Sequence, residues 1–134
     1  MKKIEHIGIA VKDLKAANNL YSKLLNTTPY KTEKVDSENV NTSFFQIGES
    51  KIELLEGTSP DSPISKFIEN RGEGVHHIAF EVDDIEKEIA RLTKEGFQMI
   101  HEKPKDGADN KLIAFLHPKS SNGVLIELCQ EKVQ

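Results

Sequence analysis

At 134 residues the chain is long enough for one domain with a buried core, and 37% hydrophobic against 30% charged residues excludes a disordered chain. No apolar run approaches the ~20 residues that span a bilayer, and Met1-Lys2-Lys3 runs straight into a strand pattern without an apolar signal region, so a cytoplasmic protein with no membrane partner is expected. A net charge of −4 with scattered lysines offers no basic stripe for nucleic acid, and the lone Cys129 cannot form an internal disulfide.

Ile4 to Val11 alternates as a strand, with His6, Gly8 and Ala10 on a small-residue face and Ile7, Ile9 and Val11 on the bulky one. Asp13 is a candidate N-cap for a helix to about Leu24, with Leu14, Ala17, Leu20, Tyr21 and Leu24 as its apolar stripe. Short strands follow at Tyr30–Val35, Val40–Ile47 and Lys51–Glu56, separated by turns at Asp36–Asn39 and Gly48–Ser50. In the last of these, Ile52 and Leu54 face one side, Glu53 and Leu55 the other.

Ser62 and Pro63 read as the N-cap and first residue of a linking helix to about Asn70, broken by Gly72 and Gly74. The order then repeats. Val75–Val82 is a strand. Asp84 caps a helix to Glu95 with Ile85, Ile89 and Leu92 inward, and Gly96 ends it. Phe97–Lys103 reads as a strand, Pro104–Asn110 as a polar loop, and Lys111–His117 and Val124–Cys129 as the closing strands. Cys129 fits a small buried apolar position there better than a nucleophile.

Two segments carry the repeat. Glu5-His-Ile-Gly-Ile-Ala-Val-Lys-Asp13 matches His76-His-Ile-Ala-Phe-Glu-Val-Asp-Asp84 at an offset of 71 residues. Lys51-Ile-Glu-Leu-Leu55 matches Leu125-Ile-Glu-Leu-Cys129 at three residues more, because the Pro118–Gly123 turn is longer by three than Gly48–Ser50. Each half therefore brings one histidine on its first strand and one glutamate on its last. If the two strands of each half lie side by side, His6, Glu53, His77 and Glu127 converge as two imidazoles and two carboxylates. That donor set suits a borderline divalent cation with open positions, Co²⁺ first, with Ni²⁺, Mn²⁺, Fe²⁺ or Zn²⁺ behind it. Of the tandem pair, His77 is in register with His6, while alternation turns His76 away; Glu56 and Glu81 have no such repeat and read as rim charges.

These residues carry a resemblance. The doubled unit, with Glu5-His-Ile-Gly-Ile-Ala-Val11, Lys51-Ile-Glu-Leu-Leu-Glu56, Ser62-Pro-Ile-Ser-Lys-Phe-Ile68, Gly72-Glu-Gly-Val-His-His-Ile-Ala-Phe80, Ala114-Phe-Leu-His-Pro-Lys-Ser120 and Gly123-Val-Leu-Ile-Glu-Leu-Cys129, resembles the vicinal oxygen chelate (glyoxalase/bleomycin-resistance/dioxygenase) superfamily, and within it the methylmalonyl-CoA epimerases. The resemblance implies an α+β fold: two tandem βαβββ modules forming a cup-shaped, mostly antiparallel sheet around a metal site. It implies a single domain over 1–134, with module one about 1–57, a linker helix about 58–72 and module two about 73–131.

It also implies His6, Glu53, His77 and Glu127 as metal ligands, an acyl-CoA substrate and a homodimer. The implied reaction interconverts (2R)- and (2S)-methylmalonyl-CoA by C2 proton transfer through a metal-stabilised enolate. Glu127 stands at the position of one base. The second lies in the segment before the third strand, here Val35-Asp-Ser-Glu-Asn-Val40, with Glu38 the candidate and Asp36 behind it. Lys103, Lys105, Lys111 and Lys119 stand where they could meet the CoA phosphates, although scattered lysines are ordinary surface. The alternatives are glyoxalase I (lactoylglutathione lyase), which would need cations for the glutathione carboxylates where only Arg71 and Arg91 are arginines, and a ligand-sequestering protein of the same fold.

Overall fold

Each predicted helix begins where a side chain can cap it. In this computed structural model, which describes residues 1–132, Asp13 accepts from the Ala16 N–H at the start of α1 (Leu14–Leu25). Ser62 does the same for Ile64 at α2 (Pro63–Arg71), and Asp84 for Lys87 at α3 (Ile85–Lys94). The strands are β1 (Lys3–Ala10), β2 (Lys31–Val35), β3 (Val40–Ile47), β4 (Ser50–Gly57), β5 (Gly74–Glu81), β6 (Lys105–Gly107), β7 (Lys111–Leu116) and β8 (Ile126–Glu131). The chain is thus β-α-β-β-β twice, with α2 between, in the α+β class. Among the described residues no helix is long and apolar enough to cross a membrane.

The chain forms two compact units, Ile7–His76 and Met1–His6 joined by the chain from His77 onward. In the first, the strands run β2-β3-β4-β1, with β2–β3 and β3–β4 antiparallel. Its core gathers Val11, Leu14, Ala17, Phe45 and Leu54, with Ile9, Tyr21, Leu25 and Ile52 against them. A smaller cluster of Ala10, Val40, Leu55 and Ile64 seats α2. The stripe of α1 is therefore Leu14, Ala17, Tyr21 and Leu25. Leu20 and Leu24, expected on it, are 63% and 68% exposed, because the helix is rotated so that its tyrosine meets Phe45.

In the second unit the order is β1-β5-β8-β7-β6, with β5–β8 parallel and β8–β7–β6 antiparallel. Ile85, Ile89 and Leu92 of α3 pack with Val82, Ala114, Leu116 and Leu128. The strand expected at Phe97–Lys103 is not formed. That segment makes only an isolated bridge, Met99 to Leu116, through two backbone bonds, from Ile100 N–H to Phe115 O and from His117 N–H to Gln98 O. The ladder falls instead at Lys105–Gly107, inside the expected polar loop. Asp109 and Asn110, both at positive φ, make the tight turn that folds these residues back on β7. Gly107 is needed there, since a Cβ would lie 2.7 Å from the Ile113 side chain. The last strand also begins later than expected, at Ile126, leaving Val124 exposed.

Candidate metal centre

Strand alternation sets which side chains share a face with His77 on β5. Two residues on, Ala79 lies opposite Glu127 of β8, and Glu127 lies opposite Phe115 of β7. One face of these three strands therefore presents His77, Ala79, Glu127, Cys129, Phe115 and Ile113, and all but the imidazole and the carboxylate form an apolar patch. His6 comes from β1, within the same unit. Its Nε2 lies 2.9 Å from His77 Nε2 and 3.7 Å from Glu127 Oε2, and His77 Nε2 lies 3.2 Å from Glu127 Oε1. The two rings meet edge to face at 86°.

All three residues are buried, at no more than 5% exposure. Buried polar groups of this kind need partners or an ion, and together the three side chains form a possible ligand group for a metal ion. The spacing fits one. Metal–nitrogen bonds of ~2.0–2.1 Å put donor atoms about 2.9 Å apart at a right angle and about 3.4 Å apart in a tetrahedron. Two of the donor separations found here, 2.9 and 3.2 Å, fall within that range, and the third, 3.7 Å, lies just beyond it.

Burial pushes the Glu127 carboxyl up, but the charge of His6 and the hydrogen bond and charge of His77 outweigh it and hold it below the usual carboxylate range. Phe115 walls the centre, its ring edge to face with His77 at 5.6 Å. Phe115 also meets His101, at 5.7 Å between ring centroids, and the His101 Nδ1 accepts the Phe115 N–H at 3.2 Å.

The remaining expected residues fall as follows. Glu53, in the other unit, is buried on β4 opposite Phe44 of β3. Glu38 is half-buried in the single 3₁₀ turn Asp36–Glu38 between β2 and β3, closed by Asn39 in the left-handed conformation. Asp36 is well exposed and pairs with Lys34 Nζ at 3.6 Å. His76 points away from the centre and packs its ring on Phe67 at 5.0 Å. Lys111 opens β7, the strand expected to begin there, and is buried and paired with Glu131 at 3.1 Å. Glu56 is no rim charge: its carboxylate accepts the Leu14 N–H at 2.9 Å and secures the start of α1. Glu81 meets Lys2 Nζ at 3.6 Å.

Sequence reasoning passed over Glu5 and Phe115. Glu5 is buried, with Oε1 2.7 Å from His6 Nδ1. Its only signal in the sequence is an acid directly before a strand histidine, and strand alternation sends such neighbours to opposite faces. Phe115 could have been found by pairing β7 with β8 in register.

Residues 5–115 match the model of the Glyoxalase/Bleomycin resistance protein/Dioxygenase superfamily. The uncharacterized protein YqjC of Bacillus subtilis is 41% identical over 98% of this chain and 94% of its own length. The mitochondrial methylmalonyl-CoA epimerase of Homo sapiens is 37% identical over 96% of this chain and 73% of its own. Among solved structures, a variant of the Streptomyces coelicolor methylmalonyl-CoA epimerase in complex with 2-nitronate-propionyl-CoA superposes with a TM-score of 0.95 at 34% identity, covering 99% of this chain and 96% of that one. On these matches the chain belongs to the Glyoxalase/Bleomycin resistance protein/Dioxygenase superfamily and, within it, to the methylmalonyl-CoA epimerases, a family of isomerases.

Proposed function

We propose that this protein interconverts (2R)- and (2S)-methylmalonyl-CoA, with a divalent metal ion, Co²⁺ first among the candidates, held by His6, His77 and Glu127. The observation that carries this reading is the convergence of those three side chains within 3.7 Å of one another in a chain related to epimerases along nearly its whole length. Glu53 is assigned as the fourth ligand by the sequence repeat, as the first half's counterpart of Glu127. Held by these side chains, a divalent ion would supply Lewis-acid stabilisation for the negative charge that develops when the C2 proton is lost.

The chain's own residues do the rest. Glu127, ionised well below neutral pH, is ready to accept the C2 proton from one face. A second carboxyl must return a proton to the opposite face, so that one C–H bond breaks, one forms and no net proton is consumed. Glu38 is assigned that part over Asp36, because it is half-buried whereas Asp36 is exposed and engaged with Lys34. Phe115 and the patch of Ala79, Ile113 and Cys129 keep water from the reacting carbon, which strengthens each of these interactions. The resemblance adds a homodimer, which sedimentation would test.

The deciding experiment is exchange of the C2 proton of methylmalonyl-CoA in D₂O. Exchange is expected with Co²⁺ present and loss of it with chelator. No exchange, together with turnover of the methylglyoxal–thiol adduct, would assign the chain to glyoxalase I chemistry instead.

A further inference from the structure

Glu5 is a carboxylate at 2% exposure, deeper than the three side chains of the centre itself. Such a group is costly to bury unless it is hydrogen-bonded. Its Oε1 lies 2.7 Å from His6 Nδ1. A carboxylate oxygen accepts and a ring N–H donates, so a contact of this length is made when Nδ1 carries the ring proton. The opposite ring nitrogen, Nε2, is then the one directed at His77 and Glu127.

A neutral imidazole has one nitrogen with a proton and one with a lone pair. Without a partner at Nδ1, His6 would divide itself between the two tautomers, and only one of them can donate a lone pair into the centre. We propose that Glu5 is the positioning residue of this centre: it locks His6 in the Nδ1–H tautomer and ring orientation, and makes Nε2 a stronger donor to a divalent cation. The inference rests on reading His6, His77 and Glu127 as ligands. It is not a by-product of the repeat. The position matching Glu5 in the second half is His76, whose ring packs against Phe67 instead.

The test uses the full chain, freed of metal, with Glu5→Gln and Glu5→Leu beside the wild type. Long-range proton–nitrogen correlation spectra of the histidine rings, taken at about pH 8 where neutral imidazole predominates, read the tautomer before any metal is added. The wild type should show His6 protonated on Nδ1. Glu5→Leu should lose that preference and bind Co²⁺ about 10–100-fold more weakly by competition with a chromophoric chelator. Glu5→Gln, whose amide oxygen still accepts, should keep the tautomer and fall between the two in affinity. Its Co²⁺ absorption bands should coincide with those of the wild type.

An unchanged tautomer and affinity in Glu5→Leu would overturn the proposal, and shifted bands in Glu5→Gln would make Glu5 a ligand instead. Should Glu5→Leu fail to fold, Glu5→Gln decides alone, and wild-type affinity in it removes the role of the charge. If the wild type itself does not bind Co²⁺, the metal reading fails, while the tautomer spectra still decide whether Glu5 holds His6.

Discussion

Glu127 is pulled two ways, by burial that favours its neutral form and by two histidines that favour its charge. The histidines prevail, so its folded value lies below its unfolded one. A depressed acid contributes stability that is complete above the unfolded pKa of about 4.3 and is lost as pH falls through the lower folded value. In metal-free protein, Glu127→Gln should therefore flatten the fall of Tm on acidification below about pH 4.3; an acid limb parallel to the wild type's would mean the pairing contributes nothing. His77→Ala should lose Co²⁺ binding and proton exchange together. Glu38→Gln should keep the metal and lose roughly 10²-fold or more in exchange, the usual scale for a positioned acid or base; full activity would reassign the second base. The nearness of His6, His77 and Glu127 was legible in sequence because the chain states the motif twice. Glu5 was not, because alternation sends neighbouring side chains to opposite faces, yet its carboxylate reaches the ring beside it.

At the scale of elements, caps read well and helix rotation did not. Asp13, Ser62 and Asp84 each cap the helix expected of them. The stripe of α1 was misjudged, because leucines lie on two adjacent lines of that helix and only tertiary contact selects between them. The consequence is measurable by denaturant unfolding. Leu20→Ser with Leu24→Ser should change stability by no more than about 1 kcal/mol in total, as for exposed positions. Leu54→Ala, in the core that α1 covers, should cost about 2–5 kcal/mol. A large loss from the first pair would mean that this face is covered in solution. The misplaced strand has a similar cause. Phe97–Lys103 has the composition of a strand, but the ladder went to Lys105–Gly107, where a turn with Asp109 and Asn110 both at positive φ and a glycine against Ile113 permit close pairing.

For the whole molecule, the order of elements was legible because it is written twice, and the relation to solved epimerases at a TM-score of 0.95 agrees with it. The side-by-side placement of the first and last strands, supposed in the sequence from the repeat, is found in the second half, where β5 and β8 pair in parallel. If His6, His77 and Glu127 hold a cation, binding must stabilise the folded chain, by about 2.7 kcal/mol at a free concentration a hundred times Kd. Thermal scans with Co²⁺ should show Tm rising by several degrees in the wild type and not at all in His77→Ala; a rise in both would place the binding elsewhere.

Cys129 gives this protein an internal clock. Its thiol is fully buried, two residues beyond Glu127 on the same face of β8, with Sγ donating to Phe80 O at 3.6 Å. A thiol reagent can reach it only when β8 parts from its neighbours, so the labelling rate counts those openings, much as hydrogen exchange counts them for amides. A cation gripped by Glu127 from one strand and His77 from the next would have to be released before the strands separate. Labelling of Cys129 should therefore slow in proportion to Co²⁺ occupancy, turning the chain's single thiol into a gauge of how firmly the centre ties its strands together.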